Sequence, residues 1–345
     1  MSPRLDLGEI VAEIAPVRLD CQTAGMTARE IIDPHHHLWG PDFGGGAVGQ
    51  YLLEDLHGDT DTVAGLVGTV FMECGAEYRT DGPEHLKPVG ETEFVSAVAA
   101  ASAQTSGATI LGIVGHADLT LPIDQLDEVL DAHEAASGPV FCGIRDALAS
   151  APYGEPLMIP GSAAPDKAAD PDFRRGVAHL GERGLTYDTW HYHMQLGDFL
   201  DLARAVPGTT MVLDHLSTPI GVGSFEGRLD ELFDPWAATM AEVAACPNVV
   251  AKLGGMAMPD NGFWPMDGTG RPDVAGFVAA QGRWYDVMLD AFGPERCMFE
   301  SNFPVDRFCV DYAVVWGAFE QFASRFTDAE QAMLFAGTAR RVYRL

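Results

Sequence analysis

Apolar runs and amphipathic stretches alternate along this chain from residue 31 to its end. Ile31 and Ile32 open an extended run that ends in His35, His36 and His37. Further strand-like runs span Gly68 to Glu73, Ile110 to His116, Val140 to Arg145, Leu185 to His193, Thr210 to His215, Asn248 to Lys252 and Arg296 to Ser301. Short, continuously apolar runs of this kind suit strands buried on both faces. Between them, helical spacing of apolar residues marks Glu91 to Ser106, Leu121 to Ser137, Phe173 to Gly184, Leu196 to Val206, the region of Trp236 to Ala245, and Val274 to Phe292. A polar run, Glu54 to Asp61, holds a short helix. Thr327 and Glu330 frame a capping box that starts the penultimate helix.

Eight strand-then-helix units predict an α/β protein, a (β/α)8 TIM barrel forming a single domain with long loops after the strands. Its span is residues 29–345, after an N-terminal arm over residues 1–28. An open doubly wound sheet is the competing arrangement, but nothing between the units reads as a sheet edge or domain break. Glycine-rich nucleotide loops and the Gly-x-Ser-x-Gly nucleophile elbow are absent.

In a barrel the long loops fall at the end where active sites sit. Polar residues gather at that end of every strand. They are His35 and His37, Glu73, His116, Arg145, His191 and His193, Asp214 and His215, Lys252, and finally Glu300 and Asn302. Unpaired polar groups are costly to bury, so something is held there. Strand alternation places Asp33, His35 and His37 on one face, and a His-x-His pair suits zinc or a proton-transfer couple. Arg145 and Glu73 read equally as a structural ion pair across the barrel mouth or as substrate contacts. Tyr78, Arg79 and His85 fit a solvated loop, and His133 and His179 fit a helix surface. Trp39, Phe263 and Trp264 suit either loop packing or a pocket wall.

A net charge of −29, from 50 acidic and 21 basic residues, argues against nucleic-acid and anionic-membrane partners. An anionic substrate would need local basic residues, and the chain has three lysines. Six scattered cysteines without a Cys-x-x-Cys pair read as reduced core residues. With no apolar run of signal-peptide or membrane-span length, the expected location is the cytoplasm.

The residues Ile32 to Trp39, Gly143 to Arg145, Val212 to His215 with Pro219, Asn248 to Gly255, Phe299 to Pro304 and Gly337 to Tyr343 together resemble the amidohydrolase-related (amidohydrolase 2) family, in its lactonase-like branch. That resemblance implies a barrel in which His35 and His37 meet His215 and the strand 8 residue around a hydrolytic centre. It implies one divalent metal, zinc foremost, held by His35, His37, His215 and Glu300, or else a metal-free mechanism led by a carboxylate. Arg145 is the implied anchor for substrate carboxylates and the oxyanion, with Tyr78, Arg79 and Lys252 as further substrate contacts. Where the family usually carries Asp at the end of strand 8, this chain has Asn302, and a neutral amide cannot take a proton from water at ordinary pH. Glu300, on the same face, or His191 or His193 from strand 5, then takes the role of base, with His215 beside them.

The expected activity is a catabolic hydrolase that opens a lactone or related cyclic ester of a small polar or carboxylated metabolite. Metal-dependent non-oxidative decarboxylation is one alternative, and a catalytically silent ligand-binding barrel is another. The expected partner is a small-molecule substrate, with a homo-oligomer left open.

Overall fold

The computed structural model describes residues 29–41, 43, 49–152, 154–266 and 268–345. The expected N-terminal arm, residues 1–28, lies outside the described residues. Eight parallel strands pair strictly in sequence order: β1 (Ile31–His36), β2 (Leu66–Met72), β3 (Thr109–Gly115), β4 (Phe141–Arg145), β5 (Thr186–Thr189), β6 (Met211–Leu213), β7 (Val249–Leu253) and β8 (Cys297–Phe299). The ring is drawn shut just past β8. There the His37 amide donates to the Phe303 carbonyl at 2.8 Å and the Asn302 amide to that of His35 at 3.1 Å.

The outer layer is helical: α1 (Leu53–Thr60), α2 (Val89–Ser102), α3 (Ile123–Ser137), α4 (Pro171–Glu182), α5 (Leu196–Ala205), α6 (Leu229–Ala244), α7 (Val274–Phe292), α8 (Tyr312–Ala323), α9 (Asp328–Ala332) and α10 (Thr338–Tyr343). The expected α7 bounds coincide with those observed. Helix α6 starts well before Trp236, because Pro235 masks the helical pattern although it lies within the first turns of the helix. The Thr327–Glu330 capping box opens α9.

Inside the ring, Ile32, Val70, Val114, Val212 and Val250 pack together, and α10 closes the lower end with Val342 and Tyr343. Strand β5 supplies a polar residue instead, Asp188, which accepts from the Tyr343 hydroxyl. A far larger apolar shell lies between strands and helices, where Phe173, Trp284 and Phe319 are fully covered.

Two expectations are corrected. Asp33 does not share the inward face of His35 and His37, because the β1–β2 register shifts between Asp33 and His36. Pro34 has no amide hydrogen for the ladder, and the strand turns about it. Asp33 then accepts from the Tyr312 hydroxyl of α8 and the Ser301 amide, both at 2.9 Å. His133 is not at the surface: it is fully buried, its Nε2–H donating to the His116 carbonyl while Nδ1 accepts from Thr92. His179 is half-buried against Asp127. Among the described residues no helix is long and apolar enough to cross a membrane.

Candidate active site

A cavity of about 690 Å³ opens at the end of the barrel where the strands run out, lined by His37, Glu73, Arg145, His215 and Asn302 with an apolar flank. Just under this floor lies Glu300. Its Oε1 accepts from His215 Nδ1 at 2.7 Å, and His35 Nδ1 stands 2.7 Å from Oε2. The His35 ring does not aim its N–H along that line, so Oε2 is a buried oxygen with no aligned donor. The His35 ring lies 4.5 Å from that of His215 and 5.0 Å from that of His37, centre to centre. His37 is fixed by Nδ1–H donation to the Met72 carbonyl at 2.8 Å.

Local backbone explains how these side chains are held. After β6 the chain makes an abrupt turn in which His215, Leu216, Ser217 and Thr218 all take positive φ, from 35° to 60°. Left-handed backbone is unfavourable for such residues and persists only where the surroundings fix it. Here the Thr218 amide donates to the His215 carbonyl at 2.8 Å, and Trp236 Nε1 donates to that of Leu216 at 2.9 Å. Gly254 and Gly255 make room on the other side: a β-carbon on Gly255 would fall 2.1 Å from His215 Nδ1, and one on Gly254 2.0 Å from the Glu300 carbonyl oxygen.

Beneath the imidazoles runs a buried charge network. Lys252 Nζ lies 3.0 Å from Asp188, 3.3 Å from Asp214 and 3.4 Å from His35 Nδ1. Arg145 reaches Glu73 Oε1 at 2.7 Å through Nε and Asp214 at 3.4 Å through Nη1, and Nη2 donates to the Glu73 carbonyl. Burial alone would lower the Lys252 pKa, but Asp214 and Asp188 raise it, so the lysine stays charged. Burial alone would raise Glu300, yet the adjoining His215 and His35 hold it down to about 2. His35 and His37 are pushed well below the usual imidazole range by burial and are neutral.

Neutral imidazoles beside an ionised carboxylate form a donor set suited to a divalent cation. Among the described residues, His35, His215 and Glu300 bring one ligand atom each within 4.8 Å of one another. The cluster fits such an ion by its donor set and its spacing.

Some expected residues are not brought together. Strand β5 ends at Thr189, where the Leu148 and Ala149 amides turn in to bond the Trp190 carbonyl, so alternation no longer governs the residues beyond it. His191 is consequently buried against Phe199 and His193 packs on Phe225, and neither lines the cavity. Arg79 pairs with Glu93 of α2 on the outside, and Lys252 lies below the floor with its partners. Tyr78 does line the cavity, its ring stacked over His116. Asn302 lines it too, with Nδ2 donating to Asp306 at 2.9 Å. Trp264 stacks on Phe277 and Phe263 packs on Trp264, whereas Trp39 is cavity wall. Trp190, Asp146 and Lys167 line the cavity without any motif to announce them. The scarcity of lysine is the one signal in the sequence that points to Lys167.

A family model described as amidohydrolase matches residues 32–345. An uncharacterised protein, y4mH, of Sinorhizobium fredii is 31% identical over 338 residues, covering 93% of this chain and all of that protein. An L-fucono-1,5-lactonase of Burkholderia ambifaria is 28% identical over 341 residues, covering 93% of this chain and 97% of the relative. Among solved structures, an amidohydrolase of Burkholderia multivorans with bound zinc superposes with a TM-score of 0.71 at 28% identity, covering 92% of this chain and 99% of that one.

Proposed function

Because the chain belongs to the amidohydrolase family, we propose that it is a hydrolase that opens the ring of a lactone by attack of an activated water on the ring carbonyl. The observation that carries this reading is the Glu300 carboxylate set between His35 and His215 directly under a cavity of metabolite size. A lactonase-named relative matched over nearly its whole length supports the choice of bond.

His35, His215 and Glu300 would hold a divalent cation, zinc foremost, with His37 as the adjoining imidazole. When bound, such an ion supplies Lewis-acid polarisation and brings the pKa of a water toward neutrality. The protein's own groups do the positioning. His215 donates Nδ1–H to Glu300, which fixes its tautomer and leaves Nε2 with the lone pair. Asn302 donates from Nδ2 to Asp306, and its carbonyl oxygen can orient a water without taking its proton. The proton leaving the water returns to the ring oxygen as the C–O bond breaks, yielding a hydroxy acid.

The test is acid release from a lactone panel by protein whose metal content per chain has been measured. Glu300→Gln is expected to lower kcat/KM about a hundredfold with the fold retained. Carbon dioxide release from carboxylic acids with no lactone opened would transfer the site to decarboxylation. A folded Glu300→Gln variant with full activity would remove Glu300 from the chemistry.

A further inference from the structure

Among the described residues two cationic side chains line the cavity, and neither is free. Arg145 is buried with Nε and Nη2 on Glu73 and Nη1 shared between Asp214 and His35. Lys167, on the loop after β4, donates to Asp146 Oδ1 and, at 3.2 Å, to the Ala147 carbonyl. Asp146 is itself fixed, since its other oxygen accepts from the Leu119 amide at 3.1 Å. A carboxylate entering this cavity therefore meets two cations already paired with acidic side chains. An adjoining groove shares Asp146 and Lys167 with the cavity and adds Asp118, Asp166 and Asp170. The whole chain, at −29, carries a field of the same sign. The rest of the lining includes the apolar side chains of Trp39, Trp190, Met158, Ile159, Met258 and Val305.

Building on the lactone-opening reading, we propose that the cavity selects uncharged lactones and turns away carboxylated ones. The Asp146–Lys167 pair is the determinant of this selection. This narrows the expected polar or carboxylated substrate to the uncharged class. It has a consequence for turnover: ring opening converts a neutral ring into a carboxylate inside a cavity without a free cation. The product is therefore held less well than the substrate, and the acidic groove speeds its departure.

Paired lactones test this on the holoprotein: galactonolactone against galactarolactone, and gluconolactone against glucarolactone, at low and high sodium chloride. The uncharged member of each pair is expected to have the higher kcat/KM by about tenfold, as one like-charge contact near the surface would impose. Salt should raise kcat/KM for the carboxylated member and leave the uncharged one nearly constant. Asp146→Asn, which releases Lys167, should close most of the gap, whereas Lys167→Met should widen it. Preference for the carboxylated members overturns the proposal, as does a gap indifferent to both salt and Asp146→Asn. Thermal stabilisation by the same four compounds reads the preference without turnover. If none is hydrolysed but the uncharged lactones stabilise the protein more, the activity reading falls and the selectivity stands. Greater stabilisation by the carboxylated pair overturns the selectivity.

Discussion

Gly255 decides where His215 can stand. Its φ is +66°, and a β-carbon there would come within 2.1 Å of His215 Nδ1, which leaves no room for alanine. Gly255→Ala should push His215 off Glu300 and lower kcat/KM about a hundredfold, as a displacement of order 1 Å in a catalytic group does. A stability loss of about 1–3 kcal/mol should accompany it from the left-handed backbone. Kinetics beside a denaturant melt separate the two effects, and wild-type kinetics in a destabilised protein would detach Gly255 from the chemistry. Asn302 behaves differently. Its φ of 56° suits aspartate as well as asparagine, so Asn302→Asp is tolerated by the backbone. It sets a carboxylate against Asp306, whose own pKa burial pushes to about 7. Two carboxylates in contact cannot both ionise. The variant should lose stability relative to wild type as pH rises from 6 to 8, read as a widening gap in Tm; a constant gap would contradict the carboxylate contact.

At the scale of elements, β1 is where the sequence pattern is informative and incomplete at once. Eight strands are legible because parallel strands buried on both faces must be continuously apolar, and the polar residues that break the pattern mark the mouth. Strand ends are not legible, since a tertiary turn at Trp190 ends β5 and a proline turns β1 about itself. His35 and His37 are placed by alternation and His215 and Glu300 by their positions near strand ends and the family resemblance, and all four gather at the floor, whereas His191 and His193 are diverted by a turn no local pattern announces. Asp33 shows what the β1 turn contributes. It accepts from the His35 and Ser301 amides and from the Tyr312 hydroxyl, joining β1, the segment after β8 and α8. Asp33→Ala leaves three buried donors unpaired and should cost about 2–4 kcal/mol. Asp33→Asn should cost about 1 kcal/mol or less, because Tyr312 can rotate to accept from the amide. Equal losses in the two variants, measured by denaturant unfolding, would show that the acceptor is not what matters.

For the whole molecule, buried titratable groups set a pH profile whose direction can be worked out. Burial raises Asp33 to about 6, Asp306 to about 7 and Glu91 to about 8, from 3.8, 3.8 and 4.5. The folded chain keeps these protons where the unfolded chain has lost them, so stability falls as pH rises through that window. Burial lowers His36 and His133 to about 4 and His191 to about 3, from 6.5. The unfolded chain takes up protons that these histidines refuse, so stability rises with pH up to about 6.5. Below that point these histidines, together with His193, which burial also lowers to about 4, outweigh the three acids; above it, Asp306 and Glu91 act alone. Stability should peak near pH 6.5 and decline toward pH 8, each group contributing at most about 1.4 kcal/mol per pH unit. Self-repulsion of a chain at −29 works in the same direction. Glu91 offers the cleanest test: its Oε1 accepts from the Cys74 and Ala76 amides, and Oε2 has no partner. Glu91→Gln keeps the acceptor and removes the titration, so the variant's Tm should fall less than the wild type's between pH 6.5 and 8. A flat wild-type profile over that range, or an unchanged slope in Glu91→Gln, would mean that these buried acids do not govern the alkaline limb.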